Sequence, residues 1–149
     1  ITSGDNNIAI GKGAGTAITA SVRNIAIGED ALKTLSGNGN NVAIGTEALT
    51  TTTGGQNTSV GRESGRYIEA GNWNTTLGHS AGDNITSGSG NVSIGANSDV
   101  ASATGSRQLT ISGYDGSTTT TWIQGDSDGT VSANGGHLTT TGKAIVLGF

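Results

Sequence analysis

The sequence predicts an all-β chain, a parallel β-roll or β-helix of six coils. Three observations predict it: a short phrase that returns at a fixed interval, side chains that alternate with period two inside that phrase, and too few large apolar residues for an ordinary core. The phrase is NNIAIGKGAG at 6–15, RNIAIGEDAL at 23–32 and NNVAIGTEAL at 40–49, then the looser NTSVG, NTTLG and NVSIG. Its anchors are Asn7, Asn24, Asn41, Asn57, Asn74 and Asn91, at spacings of 17, 17, 16, 17 and 17 residues. Each is followed four residues on by glycine: Gly11, Gly28, Gly45, Gly61, Gly78 and Gly95. Such a period marks units that stack on their neighbours and bury little by themselves.

Within each phrase bulky residues lie two apart, as in Ile8 and Ile10, Ile25 and Ile27, Val42 and Ile44, and Val92 and Ile94. Small residues stand between them: Ala9, Ala26, Ala43, Ser59, Thr76 and Ser93. In a strand these are opposite faces. The expectation is that the bulky face, with Ile27 and Ile44, stacks inside the roll, and that the small face, with Ala9, Ala26 and Ala43, lets another chain approach. A further small position follows at Ala14, Ala31, Ala48, Ser64, Ala81 and Ser98. Ile18, Leu35, Ile68 and Ile85 then point inward from the returning chain. GNGN at 37–40 and GSGN at 88–91 mark one corner, as turn residues should. The Asn anchors should form a ladder at a corner, satisfying backbone groups of adjacent coils. Helix is disfavoured, because GTEALTTTT at 45–53 and GANSDVASA at 95–103 have no helical period and are rich in Thr, Ser and Asn.

Composition narrows the rest. Of 149 residues 32% are hydrophobic and 12% charged, with no proline. Low hydrophobicity without charge or proline fits a stacked repeat better than disorder. The net charge of −4 and the lack of a basic run give no sign of nucleic acid. No stretch approaches the ~20 apolar residues of a membrane-spanning helix. Without cysteine there are no disulfides or thiolate metal sites. The chain opens on Ile1 with no signal peptide, as a fragment or processed product would.

The repeats resemble those of trimeric autotransporter adhesin heads, N-x-[AST]-[ILV]-G-x-x-[AS]. GSRQLTISGYDGSTTTTWIQGDSDGTV at 105–131 resembles the segment that phage tail fibres place before a self-cleaving intramolecular chaperone of the endosialidase type: a QL-x-I strand, then a WI-x-G-D-S-x-G-x-V hairpin. The resemblance implies a homotrimeric β-structured fibre, with residues 1–104 as the β-roll shaft or head and 105–149 as an interwoven β-rich distal cap. It implies a receptor-binding tip on a virion tail fibre that attaches to a cell-surface receptor, with carbohydrate the expected chemistry. The sequence stops at GKAIVLGF without the chaperone, as expected of a fibre matured by cleavage or of a piece cut at that point. The alternatives are a bacterial adhesin head at the cell surface and a purely structural spacer. An ice-binding solenoid is disfavoured because Thr does not recur at one place in every coil.

Little points to catalysis, and the chain is read as a non-enzyme without cofactor. GRESG at 61–65 misses the nucleophile-elbow spacing and falls on the structural repeat. GKGAG at 11–15 resembles a phosphate loop but lacks its Lys-Ser/Thr ending. DSDG at 126–129 offers Asp126 and Asp128 as hard oxygen ligands, though Asp-Gly is first a hairpin signal. His79 and His137 have no second histidine two residues away, and no metal site is expected. The aromatics carry most functional weight. Tyr114, with Asp115 at its turn, is the expected receptor contact, more open than Trp122, which either joins that contact or anchors the cap. Tyr67 and Trp73 fall in turns and should be exposed on the flank.

Overall fold

A computed structural model describes residues 4–133 and the strand backbone at 136–138, 140–141 and 144–145. Among the described residues there is no helix. Six three-residue strands stack in parallel: β1 (Ile8–Ile10), β2 (Ile25–Ile27), β3 (Val42–Ile44), β4 (Thr58–Val60), β5 (Thr75–Leu77) and β6 (Val92–Ile94). Their register is that of the repeat, with Ala26 beside Ala43 and Ser59 beside Thr76. A parallel β-solenoid of about six turns results.

A seventh rung, β7 (Leu109–Tyr114), pairs in parallel with β6. The sheet then turns antiparallel through β8 (Thr119–Gly125), β9 (Val131–Ala133) and β10 (Gly136–Leu138). One sheet therefore runs across the expected boundary at 104/105. A two-stranded pair, β11 (Thr140–Thr141) with β12 (Ala144–Ile145), lies outside it. The end at Phe149 lies outside the described residues.

The asparagine ladder explains the phrase. Each side-chain oxygen accepts from the next coil: Asn24 N and Nδ2 donate to Asn7 Oδ1 at 2.9 and 3.0 Å, and Asn74 N and Nδ2 to Asn57 Oδ1 at 2.9 and 3.2 Å. Apart from Asn24, the amide nitrogens also reach a corner carbonyl, as Asn57 Nδ2 reaches Gly71 O at 2.9 Å. From Asn24 to Asn91 these residues are fully buried. Gln108 takes the seventh place, with its N and Nε2 on Asn91 Oδ1 at 2.9 and 3.3 Å. Glycine is required four residues on. A Cβ on Gly28, whose φ is +131°, would lie 2.5 Å from the carbonyl carbon of Gly45.

The facing of the strands is the reverse of the expectation. Ala26, Ala43, Ser59, Thr76 and Ser93 are buried and line the interior, while Ile8, Ile10, Ile44 and Leu77 are exposed. Ala9 also points inward and is open only because its rung is the first. The cause is the width of the coil. Ile18, Leu35, Ile68 and Ile85 enter from the opposite wall, each fully buried. Against them there is room only for a methyl or hydroxyl group. Ile27 and Ile44 thus belong to the outer face, and Ala26 is no contact surface for another chain.

The interior is completed by one further position, four residues after each of the first five repeat glycines. It holds Gly15, Leu32, Leu49, Gly65 and Gly82, all with left-handed φ between +49° and +62°. Leu32 and Leu49 are buried there despite a backbone that favours glycine. The space they occupy is elsewhere claimed by the strand: a Cβ on Gly82 would lie 2.5 Å from Thr76 Cγ2.

Candidate functional site

The solenoid's ladders are self-satisfied, so binding chemistry has to come from side chains that leave them. Three of the residues singled out in the sequence come together at the β7–β8 hairpin. Tyr114, Asp115 and Trp122 line one open cleft of about 260 Å³ with Gly113, Thr118 and Thr120. The hairpin forms because Asp115 starts a tight turn. Its carboxylate accepts from Ser117 N at 2.9 Å and Thr118 N at 2.8 Å, and Gly116 takes φ +99°. Those two amide donors hold the Asp115 carboxyl below its usual pKa. The turn therefore brings a negative charge to the cleft that Tyr114 and Trp122 also line.

The order of exposure differs from the sequence expectation. Trp122 is 55% exposed and Tyr114 42%. Trp122 falls at the point where the β7–β8 pairing shifts register, between the Ile111–Ile123 and Ser112–Thr121 partners. Its ring lies across Gly113, where an added Cβ would meet Trp122 Cζ2 at 2.2 Å. Gly113 follows Leu109 and Ile111 two residues apart, so Trp122 ends the same outward face that begins with Ile8 and Ile10.

The turn between β8 and β9 holds the other acidic pair. Thr130 N lies 3.1 Å from Asp126 Oδ1 and 2.8 Å from Asp128 Oδ1. Hydrogen bonding with Asp126 and then with Thr130 pulls the Asp128 carboxyl down to about 2. Both carboxylates thus organise the hairpin. Among the described residues no three His, Cys, Asp or Glu side chains gather into a metal-binding group. His79 sits at a coil corner, its Nε2 3.2 Å from Arg62 Nη1 and 3.9 Å from a Glu63 oxygen, while Ser80 Oγ donates to Glu63 at 3.1 Å. His79 and Ser80 thus converge on one carboxylate. The side chain of His137 lies outside the described residues.

Sequence reading placed Tyr67 and Trp73 on the flank, and both are exposed. Arg66 covers Tyr67, its guanidinium carbon 5.3 Å from the ring centre. The surroundings of Trp73 were missed. It lines a cleft of about 410 Å³ with Asn38, Gly39, Asn40, Gln56 and Asn72. The signal lay in the period, since Asn40, Gln56 and Trp73 each stand one place before an anchor asparagine.

Set against family models, curated proteins and solved structures, the chain matches none. Among the described residues no helix is long and apolar enough to cross a membrane.

Proposed function

We propose that this chain is one protomer of a homotrimeric attachment fibre of the phage tail-fibre type, non-catalytic, and that the cap turn at Tyr114 and Asp115 contacts a cell-surface glycan. The observation that carries the attachment is the cleft shared by Tyr114, Asp115 and Trp122. Ring faces there stack on sugar C–H groups, while a carboxylate and threonine hydroxyls orient the hydroxyls. Its place at the first antiparallel hairpin beyond the solenoid, on a turn fixed by a stiff sheet, is where recognition is usually carried.

The outward apolar ladder supports assembly. Seven rungs at ~4.8 Å make a stripe about 30 Å long. Ile8, Ile10, Ile44 and Leu77 stand exposed on it, Thr58 and Thr75 interrupt it, and less exposed Ile, Val and Leu side chains fill the remaining places. A largely apolar stripe of this kind signals a partner. Three copies about a shared axis bring each rung against its equals, so that Thr58 and Thr75 meet threonine and the isoleucines meet isoleucine. Trp122, at the end of the ladder, becomes an anchor between chains, which leaves Tyr114 and Asp115 at the rim. Three weak sites on one rod gain affinity from their effective concentration.

The test has two arms. Solution mass separates a trimer, near three times 14.6 kDa, from a single chain. Tyr114→Ala is expected to lose glycan or cell binding with the melt intact, and Trp122→Ala to lower the melt first. Undiminished binding by Tyr114→Ala removes the receptor site from this turn.

A further inference from the structure

We propose a second binding site, separate from the cap: the cleft beside Trp73 takes a neutral sugar of a glycan chain. The argument starts from the ladder one place before the anchors, Asn6, Arg23, Asn40, Gln56, Trp73, Gly90 and Arg107, where every residue has left-handed φ between +57° and +67°. Polar residues or glycine fill it except at Trp73. A tryptophan there is strained and 61% exposed, so it serves neither the backbone nor the core. Strain kept at an exposed ring points to a ligand for the ring.

The surroundings specify the ligand. Four of the six lining residues carry carboxamides: Asn38, Asn40, Gln56 and Asn72. Asn72 is held in place, accepting from Gly55 N at 2.9 Å and donating to Ala70 O at 3.0 Å. Among the described residues no hydrogen bond engages the side-chain amides of Asn38, Asn40 or Gln56, so three donor–acceptor groups face the cleft uncommitted. No lining side chain is charged. An exposed indole beside several free amides matches a pyranose, whose C–H face stacks on the ring while its hydroxyls exchange hydrogen bonds with amides. It matches an anionic sugar poorly, because no cation lines the cleft to pair with it. The next rung of this ladder is Gly90, over which the Arg107 side chain lies, its Cγ 3.7 Å from where a Gly90 Cβ would stand.

The experiment uses the assembled protein on an array carrying neutral oligosaccharides of hexose and N-acetylhexosamine, with sialylated versions of the same chains. Trp73→Gly is the main variant, because glycine suits φ +57° and the fold should hold or gain stability. The expected result is at least a tenfold loss of neutral-glycan binding by Trp73→Gly, a several-fold loss by Gln56→Ala, unchanged assembly mass, and retention of that binding by Tyr114→Ala. Neutral-glycan binding that survives Trp73→Gly and disappears with Tyr114→Ala overturns this site while leaving the cap reading intact. Absence of any neutral-glycan binding overturns it as well, and so does a change of oligomeric mass in Trp73→Gly, which would make the cleft a contact between chains.

Discussion

The second and third coils and the fourth and fifth coils share one backbone and fill it differently. In the early pair the strand contributes Ala26 and Ala43, and the left-handed position contributes Leu32 and Leu49. In the later pair the strand contributes Ser59 and Thr76, and the left-handed position is Gly65 and Gly82. Apolar volume gives way to a hydroxyl network: Thr76 Oγ1 lies 2.6 Å from Ser59 Oγ and 2.7 Å from Ser64 Oγ, and Ser64 Oγ donates to Thr76 O at 3.1 Å. The repeat phrase thus loosens while the coil keeps its shape. The later coils also carry Tyr67, Trp73, His79 and the ion pairs of Arg62 and Arg66 with Glu63. Divergence from the phrase and surface chemistry occur in the same coils.

The largest expected effect breaks what the two regions share. Asn57→Ala strips Asn74 N and Gly71 O of their buried partner, and at 1–3 kcal/mol for each orphaned group the loss should be about 4 kcal/mol. Asn24→Ala should cost less, about 2 kcal/mol, because its oxygen serves Asn41 N in the same way but its amide reaches no corner carbonyl. Denaturant midpoints at one fixed protein concentration check both, since the stability of any chain that assembles depends on concentration. A loss confined to one of the two variants would mean that the ladder is not continuous.

Next come changes specific to each filling. Leu49→Ala opens a cavity in the early half and should cost about 3 kcal/mol, in the usual range for a buried leucine. Thr76→Val keeps the volume in the later half but orphans the Ser59 hydroxyl, for about 1–2 kcal/mol. Equal costs would erase the distinction between apolar and hydrogen-bonded fillings.

A gain is expected where the early half departs from its own rule. Thr52 occupies the place held by Ile18, Leu35, Ile68 and Ile85, is fully buried, and leaves its hydroxyl unpaired. Thr52→Val removes that group without changing the volume and should stabilise by about 1 kcal/mol, read as a raised melting temperature.

The period, the anchor ladder and the inward Ile18, Leu35, Ile68 and Ile85 were legible in the sequence because each repeats at one place in the coil. The direction of the strands was not. Alternation separates two faces without naming the inner one, and the deciding fact is the narrow gap left by side chains from the far wall. Gln108 escaped because it replaces Asn, although it stands 17 residues after Asn91. The cleft at the β7–β8 hairpin was half legible: turn chemistry marked Tyr114 and Asp115, but the register shift that throws Trp122 across Gly113 has no sequence signature. The Trp73 cleft joins residues of three coils, so only alignment by period reveals it.

The smallest effect tests the sixth coil, where Asp99 stands at the sequence place that Leu32 and Leu49 hold but without their left-handed φ. Burial, and then the charge of Asp83, raise its carboxyl from 3.8 to about 6. The sign follows from proton counts. Between about pH 4 and 6 the folded chain holds a proton at Asp99 that the unfolded chain has released, so stability should fall as pH rises through this window. Asp99 is exposed, and solvent screening should keep the change below about 1 kcal/mol. Asp99→Asn should flatten the slope over pH 4–6, and Asp83→Asn should do so in part by removing the facing charge. A melting temperature that rises between pH 4 and 6, or a slope unchanged in Asp99→Asn, would mean that the two carboxylates do not interact, and that the sixth coil accepts a charge where the third holds leucine at no electrostatic cost.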